Sequence, residues 1–487
     1  MCSFSSPVAL LLAGVLAGCT LAPKYDRPPA PVPETYPEAP DTSAAATEGH
    51  AVGPAGPAAA MGGSPAASAH AASDVRWKAF FTEERLGRII EIALADNRDL
   101  RVALLDVEQA QAQYRVTRSA SFPTIDATAS FTRESASALD SGGTVTSSTW
   151  AASVGTTAYE LDLFGRVRSL NAQALENYLA TVEGARNARL TLVAQVATQY
   201  FTLRASEEQL ALAQQTLEAV EASYRLNRIL FDAGESNELD VRTAEGQVQT
   251  ARINILNYEL QRAQALDALV LLVGAPLPAD LPPPRPFEER TMLTDIPAGL
   301  PSALVRDRPD ILQAEHTLKA ANADIGAVRA AFFPTISLTG SLGSESTQLS
   351  QLFGAGTGIW TFAPQISLPI FTGGLNRANL DVAKVSARID VANYEKAIQT
   401  AFREVADALA ASAVYERHIE VAAAAIAAQL RRVELSNLRY RQGEDLYLNV
   451  LSAQQDLYSA QQDRLQALFN KLSSQISLYE ALGGGWQ

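Results

Sequence analysis

Cys19 stands where covalent chemistry is to be expected. It follows an apolar run, residues 8–17, through Leu16-Ala17-Gly18. Such a run is too short to span a bilayer as a lasting helix, but it has the length of a signal-segment core. Small residues just before a cysteine suit cleavage on its amino side once the thiol carries a lipid. Residues 1–18 are therefore read as a signal peptide and Cys19 as the lipidated N-terminus. The chain has 2 cysteines, too few for a disulfide scaffold or a four-thiolate metal site. Of its 4 histidines, His50, His70, His316 and His418, no two sit at metal-ligand spacing. No nucleophile–base pair and no phosphate-binding loop is legible. The expectation is no enzyme, no metal, and no cofactor beyond lipid on Cys19.

A second kind of chemistry is non-covalent. Just past Gly234 a polar stripe runs at helical spacing through Ser236, Asp240, Thr243, Gln247, Thr250 and Asn254. Just past Gly443 another runs through Asp445, Asn449, Ser452, Asp456 and Asp463, with Leu448, Leu451, Tyr458 and Leu465 on the other side. Carboxylates facing a water-filled lumen would select cations. An ordinary solvated helix face has the same pattern.

The elements that must carry these residues are written twice. Phe122–Ile125 (FPTI) recurs at Phe333–Ile336, and Asp99 lies over Asp310. Phe164-Gly165 corresponds to Phe371 to Gly374, Gly234 to Gly443, and Gly274 to Gly483. A near-constant offset through the body means two copies of one structural unit. The expected layout is a first repeat over 75–285 and a second over 286–487. The first has a helix, a β-hairpin at 122–164 and long helices over 166–274. The second has a helix, a hairpin at 333–371 and long helices over 375–482.

Period two marks the strands. Ile125, Ala127, Ala129 and Phe131 alternate with polar residues, as do Ile336, Leu338 and Leu342, and Trp360, Phe362 and Ile366. The run 149–163 is less regular and changes register near Tyr159. One apolar and one small polar face is the pattern of a transmembrane β-barrel, and also of a half-buried soluble strand. Seven-residue recurrence marks the helices: Val196, Leu203, Leu210, Leu217, Tyr224 and Phe231, then Val405, Ser412, Ile419, Ile426, Val433 and Tyr440. That period implies left-handed coiled-coil packing.

Composition bounds the rest. The chain has 487 residues, is 47% hydrophobic and 19% charged, and carries a net charge of −14. An acidic chain is a poor nucleic-acid binder, so no nucleic-acid partner is expected. Residues 19–74, rich in Pro, Ala, Gly and Ser, read as an extended strap followed by a low-complexity linker. Four strands cannot close a barrel, and open edges are not tolerated in hydrocarbon, so closure needs further copies.

The cysteine, the proline strap, Trp77 with Phe80-Phe81, Arg308-Pro309-Asp310-Ile311 with Ala314-Glu315, the paired FPTI and Leu482-Gly483-Gly484-Gly485-Trp486 together resemble the TolC-type outer-membrane efflux channels. The match is to their NodT-type, OprM-like lipoprotein branch, which serves RND multidrug pumps. The resemblance implies a mixed α/β membrane protein and a homotrimer. Four strands per chain would complete a 12-stranded transmembrane barrel, continued by a coiled-coil α-helical periplasmic barrel. It implies a passive exit duct for drugs or other small molecules, working with a periplasmic membrane-fusion adaptor and an inner-membrane RND transporter. N-acyl and S-diacylglycerol lipid on Cys19 would anchor it in the outer membrane of a Gram-negative cell, and Thr20 after the cysteine fits that destination. An iris-like gate would use Asp240, Tyr440, Asp445, Asn449, Ser452 and Asp456. Ala233, Gly234, Gln442 and Gly443 would be the adaptor-docking tips. A duct for type I secretion of protein or peptide, or a lipid-anchored coiled-coil scaffold without a pore, are the alternatives.

Overall fold

The computed structural model describes residues 20–33, 35–36, 76–138, 143–287, 292, 301, 304 and 307–484. Cys19 and the signal peptide lie outside the described residues, as do most of the linker and the last three residues. The elements in chain order are α1 (Trp77–Phe80), α2 (Glu84–Asp96), α3 (Arg98–Ser119), β1 (Asp126–Ala138), β2 (Gly143–Glu160), α4 (Arg166–Asp232) and α5 (Glu238–Val273). The second half follows with α6 (Pro309–Ala330), β3 (Thr335–Ser346), β4 (Gly358–Ser367), α7 (Leu375–Arg441) and α8 (Tyr447–Ala481). The duplication is explicit in these lengths. α3 and α6 each have 22 residues, α4 and α7 each have 67. At 1.5 Å per residue, α4 and α7 are rods of about 100 Å.

The chain divides into two compact units, Met1–Pro29, Asp106–Val182 and Gln313–Glu395, and Ala30–Leu105, Glu183–Leu312 and Lys396–Gln487. The first holds one antiparallel sheet in the order β1-β2-β3-β4. Pro123, Pro334 and Pro369 flank the strands. Proline lacks the N–H a ladder needs and is tolerated within a strand at a sheet edge, as Pro364 is in β4 opposite Leu338. The register stacks Ala127 with Val154, Ala129 with Ala152, and Phe131 with Trp150. It continues through Val154 with Leu342, then Leu342 with Trp360, Gly340 with Phe362 and Ile336 with Ile366. One face is thus apolar across all four strands. The other carries Thr128, Ser153, Ser341, Thr361 and Gln365. The irregularity near Tyr159 is a bulge between Thr156 and Tyr159, where Ala158 takes φ 54°. A bulge re-aims the strand and turns its side chains over.

The strap is ordered against α6 in this same unit. Arg329 donates to the Leu21 carbonyl at 2.9 Å and Asn322 to the Pro23 carbonyl at 2.7 Å. The Glu315 carboxylate, only 3% exposed, is held by Arg27, by Lys319 at 3.0 Å and by the Tyr25 hydroxyl at 3.3 Å. A buried carboxylate is tolerable only when paired in this way.

The second unit holds the main hydrophobic core. Phe80, Leu86, Ile89, Ile90, Val193, Val196, Leu269, Ile476 and Tyr479 are almost fully buried there. Phe80 stacks on Tyr479 at 4.2 Å. The Arg308 guanidinium forks onto Asp310 at 2.6 and 2.9 Å, and reaches Glu404 at 3.0 Å and the Ala481 carbonyl at 2.7 Å. The seven-residue seam starts buried, at Val196, Leu203 and Leu210, and ends exposed at Phe231.

Candidate gate at the helix-hairpin tips

Each long rod ends in the same turn. After α4, Gly234 takes φ +79°, its N–H bonds the Phe231 carbonyl and the Glu235 N–H bonds the Leu230 carbonyl. After α7, Gly443 takes φ +74°, with Gly443 to Tyr440 and Glu444 to Arg439. This pair of bonds is the Schellman end of a helix, and its left-handed residue is best served by glycine. A Cβ on either glycine would meet nothing within 4 Å, so the constraint is backbone conformation alone. Ala233, Gly234, Gln442 and Gly443 are all exposed.

The returning helices start differently. α5 is capped by Asn237, whose side chain accepts from the Asp240 N–H at 2.9 Å. α8 has no side-chain cap at Leu446, but Asp445 accepts from the Leu446 N–H at 2.9 Å and from the Asn449 side chain. These hydrogen bonds, with Arg439 3.5 Å away, hold the Asp445 carboxyl below its usual range.

The expected gate residues fall into three groups. Asp240 and Tyr440 do not share a hydrogen bond directly. Asp240 accepts from Asn237 at 3.2 Å and from the Ser236 hydroxyl at 3.4 Å. The Tyr440 hydroxyl donates to Asn227 at 2.6 Å. Burial pushes the Tyr440 phenol up; a Ser236 hydrogen bond works against this and the Asp240 charge adds to it. Asp445 and Asn449 form the second group, the local cap just described. Ser452 and Asp456 form the third, both held by Arg432, with Arg432 to Ser452 at 3.1 Å.

Asn227, Arg432 and Ser223 escape a reading of the stripes. Asn227 is fully buried and donates to the Ser223 carbonyl at 2.9 Å, while the Ser223 hydroxyl accepts from Gln454 at 3.0 Å. A polar residue beside the apolar seam position Tyr224 was the available signal. Leu448 is also displaced from its expected place. It is 63% exposed, because Tyr447, Val450 and Leu451 make the buried face of α8 and Leu448 is turned away from them. Its counterpart 209 residues earlier, Leu239, is 73% exposed.

Among the described residues, no cluster of His, Cys, Asp and Glu could hold a metal, and no helix is long and apolar enough to cross a membrane. The family model for outer membrane efflux protein matches twice, at residues 89–275 and 300–484, once per structural repeat. The toluene efflux pump outer membrane protein TtgC of Pseudomonas putida is 43% identical over 477 residues, covering 97% of this chain and 94% of that protein. The outer membrane protein OprJ of Pseudomonas aeruginosa is 41% identical over 480 residues, 98% of this chain and 95% of that one. The open state of the MtrE outer membrane channel of Neisseria gonorrhoeae superposes with a TM-score of 0.83 at 38% identity, covering 96% and 99% of the two chains. The fold class expected from the residues, β-strands for a membrane barrel joined to long helices in a duplicated chain, is the fold of these channels. Matched in both halves and by relatives over nearly its whole length, this chain belongs to the outer membrane efflux protein family, whose members are channels and not enzymes.

Proposed function

We propose that this chain is the outer-membrane exit duct of a tripartite RND-type efflux pump. Three copies close a 12-stranded barrel, and their rods form a periplasmic tunnel below it. The observation that carries the reading is the sheet itself. It has a predominantly apolar face, a polar face and two free edges, β1 and β4. Such edges must be paired in a bilayer, and a β4-to-β1 contact repeated around an axis closes a ring. The helices supply matching apolar surface. Val102 and Leu105 of α3, Ile253, Leu256 and Leu260 of α5, and Val414, Val421 and Leu435 of α7 are all at least 43% exposed. Apolar surface on that scale calls for cover by another chain.

Transport through the duct is passive, with the energy supplied by the inner-membrane transporter. Small apolar molecules are the expected cargo, by likeness to a relative named for toluene efflux. The periplasmic adaptor docks on the exposed tips Ala233, Gly234, Gln442 and Gly443, with Leu239 and Leu448 as apolar contacts. The groups around Tyr440 and Arg432 hold the tips together as the gate. The lipid on Cys19 anchors the strap. Its neighbour Leu21 is bonded to Arg329 near the end of α6, a few residues before β3, which suits a lipid entering the membrane where the strands do.

Conductance across a planar bilayer tests the duct. Purified protein is expected to give discrete steps that enlarge when the tip contacts are removed. A preparation that inserts yet never conducts, with or without those substitutions, would contradict it. Mass spectrometry of the N-terminal fragment tests the anchor, since an unmodified Cys19 would end that part of the proposal.

A further inference from the structure

The loop joining β3 to β4 is folded back on the sheet, and it lies on the apolar face. Ser344 shares that face with Leu342, and its hydroxyl is bonded to the Thr357 hydroxyl at 2.6 Å and to the Leu352 carbonyl. The Thr357 hydroxyl donates to the Gly354 carbonyl at 2.8 Å, and the Gly354 N–H to the Gln351 carbonyl at 2.8 Å. The Glu345 N–H donates to the Thr357 carbonyl at 2.9 Å. Leu352 is buried beneath this staple, whereas Phe353 is 82% exposed and Leu349 58%. Between Phe353 and the sheet lies a shallow, open cleft of about 550 Å³, lined mainly by Ala127, Ala129, Ala152, Val154 and Leu342, with Thr128, Ser153 and Ser344 also at its wall.

Three features specify what fills it. The walls continue the apolar face that a barrel turns to lipid. The cleft opens beside Phe131, Trp150 and Trp360, whose rungs adjoin those of its walls. Aromatic side chains on the lipid-facing side of a barrel are enriched near the membrane–water interface, and the exposed Phe353 adds another to this end of the sheet. Within the loop the Gln348, Leu349, Gln351, Leu352, Gly354 and Thr357 carbonyls accept internal hydrogen bonds, which lowers the cost of irregular backbone next to hydrocarbon.

Resting on the barrel reading above, we propose that this cleft takes the hydrocarbon chain of an outer-leaflet lipid. The 347–357 loop is then a lip that grips the membrane, rather than a lid over the pore. The loop is at the hairpin end away from α6 and α7, so the lipid belongs to the leaflet farther from the helices.

The test places p-benzoylphenylalanine at 353, at 362 on the apolar face and at 361 on the polar face, in the intact protein in cell membranes. Illumination is expected to give adducts of lipid mass at 353 and 362 but not at 361. Filling the cleft by Ala152→Leu is expected to lower the lipid adduct at 353 and leave that at 362 unchanged. Lipid adducts at 362 without any at 353, or an adduct at 353 to protein instead, would overturn the lip and leave the barrel standing. An adduct at 353 that ignores Ala152→Leu would overturn the cleft. Absence of lipid at both 353 and 362 would overturn the barrel reading with it.

Discussion

Gly274 and Gly483, 209 residues apart, adopt the same left-handed conformation, φ +77° and +72°, each against the residues leading into a 22-residue helix of its own half. The resemblance stops at the contact. A Cβ on Gly274 would lie 2.5 Å from the Asp96 carbonyl oxygen, which is backbone and cannot yield. A Cβ on Gly483 would meet the Arg308 Cγ at 3.1 Å, a milder contact, with a side chain that is itself pinned by Asp310, Glu404 and Ala481. Both alanine variants bear the positive-φ cost of about 1 kcal/mol. Gly274→Ala is expected to lose roughly 1–3 kcal/mol more through overpacking. Thermal melts of the two variants compare them directly, and equal losses would refute the contact argument.

The Tyr440–Asn227 bond is a partly buried polar contact that joins α7 to α4 near the tips. Tyr440→Phe leaves the Asn227 carbonyl oxygen unsatisfied, a loss of about 1–3 kcal/mol per copy. Larger single-channel conductance is expected. Combining it with Asn227→Leu removes the orphan as well, so stability is expected to recover while the conductance stays high. Wild-type conductance in both variants would remove Tyr440 from the gate.

Arg432 with Asp456 is different in kind, because both side chains are nearly half exposed. Such a pair is worth about 0.2–1 kcal/mol and weakens with salt. Asp456→Asn is expected to raise conductance at low salt and to make little difference at high salt. The swap Arg432→Asp with Asp456→Arg is expected to restore the wild-type value. An effect independent of salt would rule out an electrostatic latch.

Glu315 gives the strap a pH dependence. Burial pushes its carboxyl up, but hydrogen bonds from Arg27 and Lys319 more than offset this, and it lies below the usual carboxylate value. A folded-state value below the unfolded one contributes stability above the unfolded value, and that contribution is lost as pH falls through the folded value. Glu315→Gln is expected to cost about 1–3 kcal/mol at neutral pH and to expose the Lys24–Tyr25 bond to trypsin. The stability gap from wild type should close in acid. A gap that widened in acid would show the sign to be wrong.

Much of this architecture is legible in the residues because the duplication repeats its landmarks. Gly234 and Gly443, the alternation of β1, β3 and β4 and the break near Tyr159 each have a local cause that one stretch of chain declares. The contacts at the tips are not local. Asn227 is recognised only through Tyr440, 213 residues away, and Arg432 only through its partner on the returning helix. Comparing the halves would have helped. Shifted by 209, Tyr440 falls on Phe231, Arg432 on Ser223 and Asp456 on Gln247, so the halves diverge where the second acquires its polar links. The fold-back of the 347–357 loop left no trace either, since Leu349, Leu352 and Phe353 read as a short apolar run in a turn.

The account stands on three chains sharing their sheets to close one cylinder. Light scattering of the unheated, detergent-solubilised protein, with detergent mass subtracted, measures this directly. Three chain masses are predicted, falling to one on heating. A single chain mass before heating would contradict the closed barrel, and with it the duct.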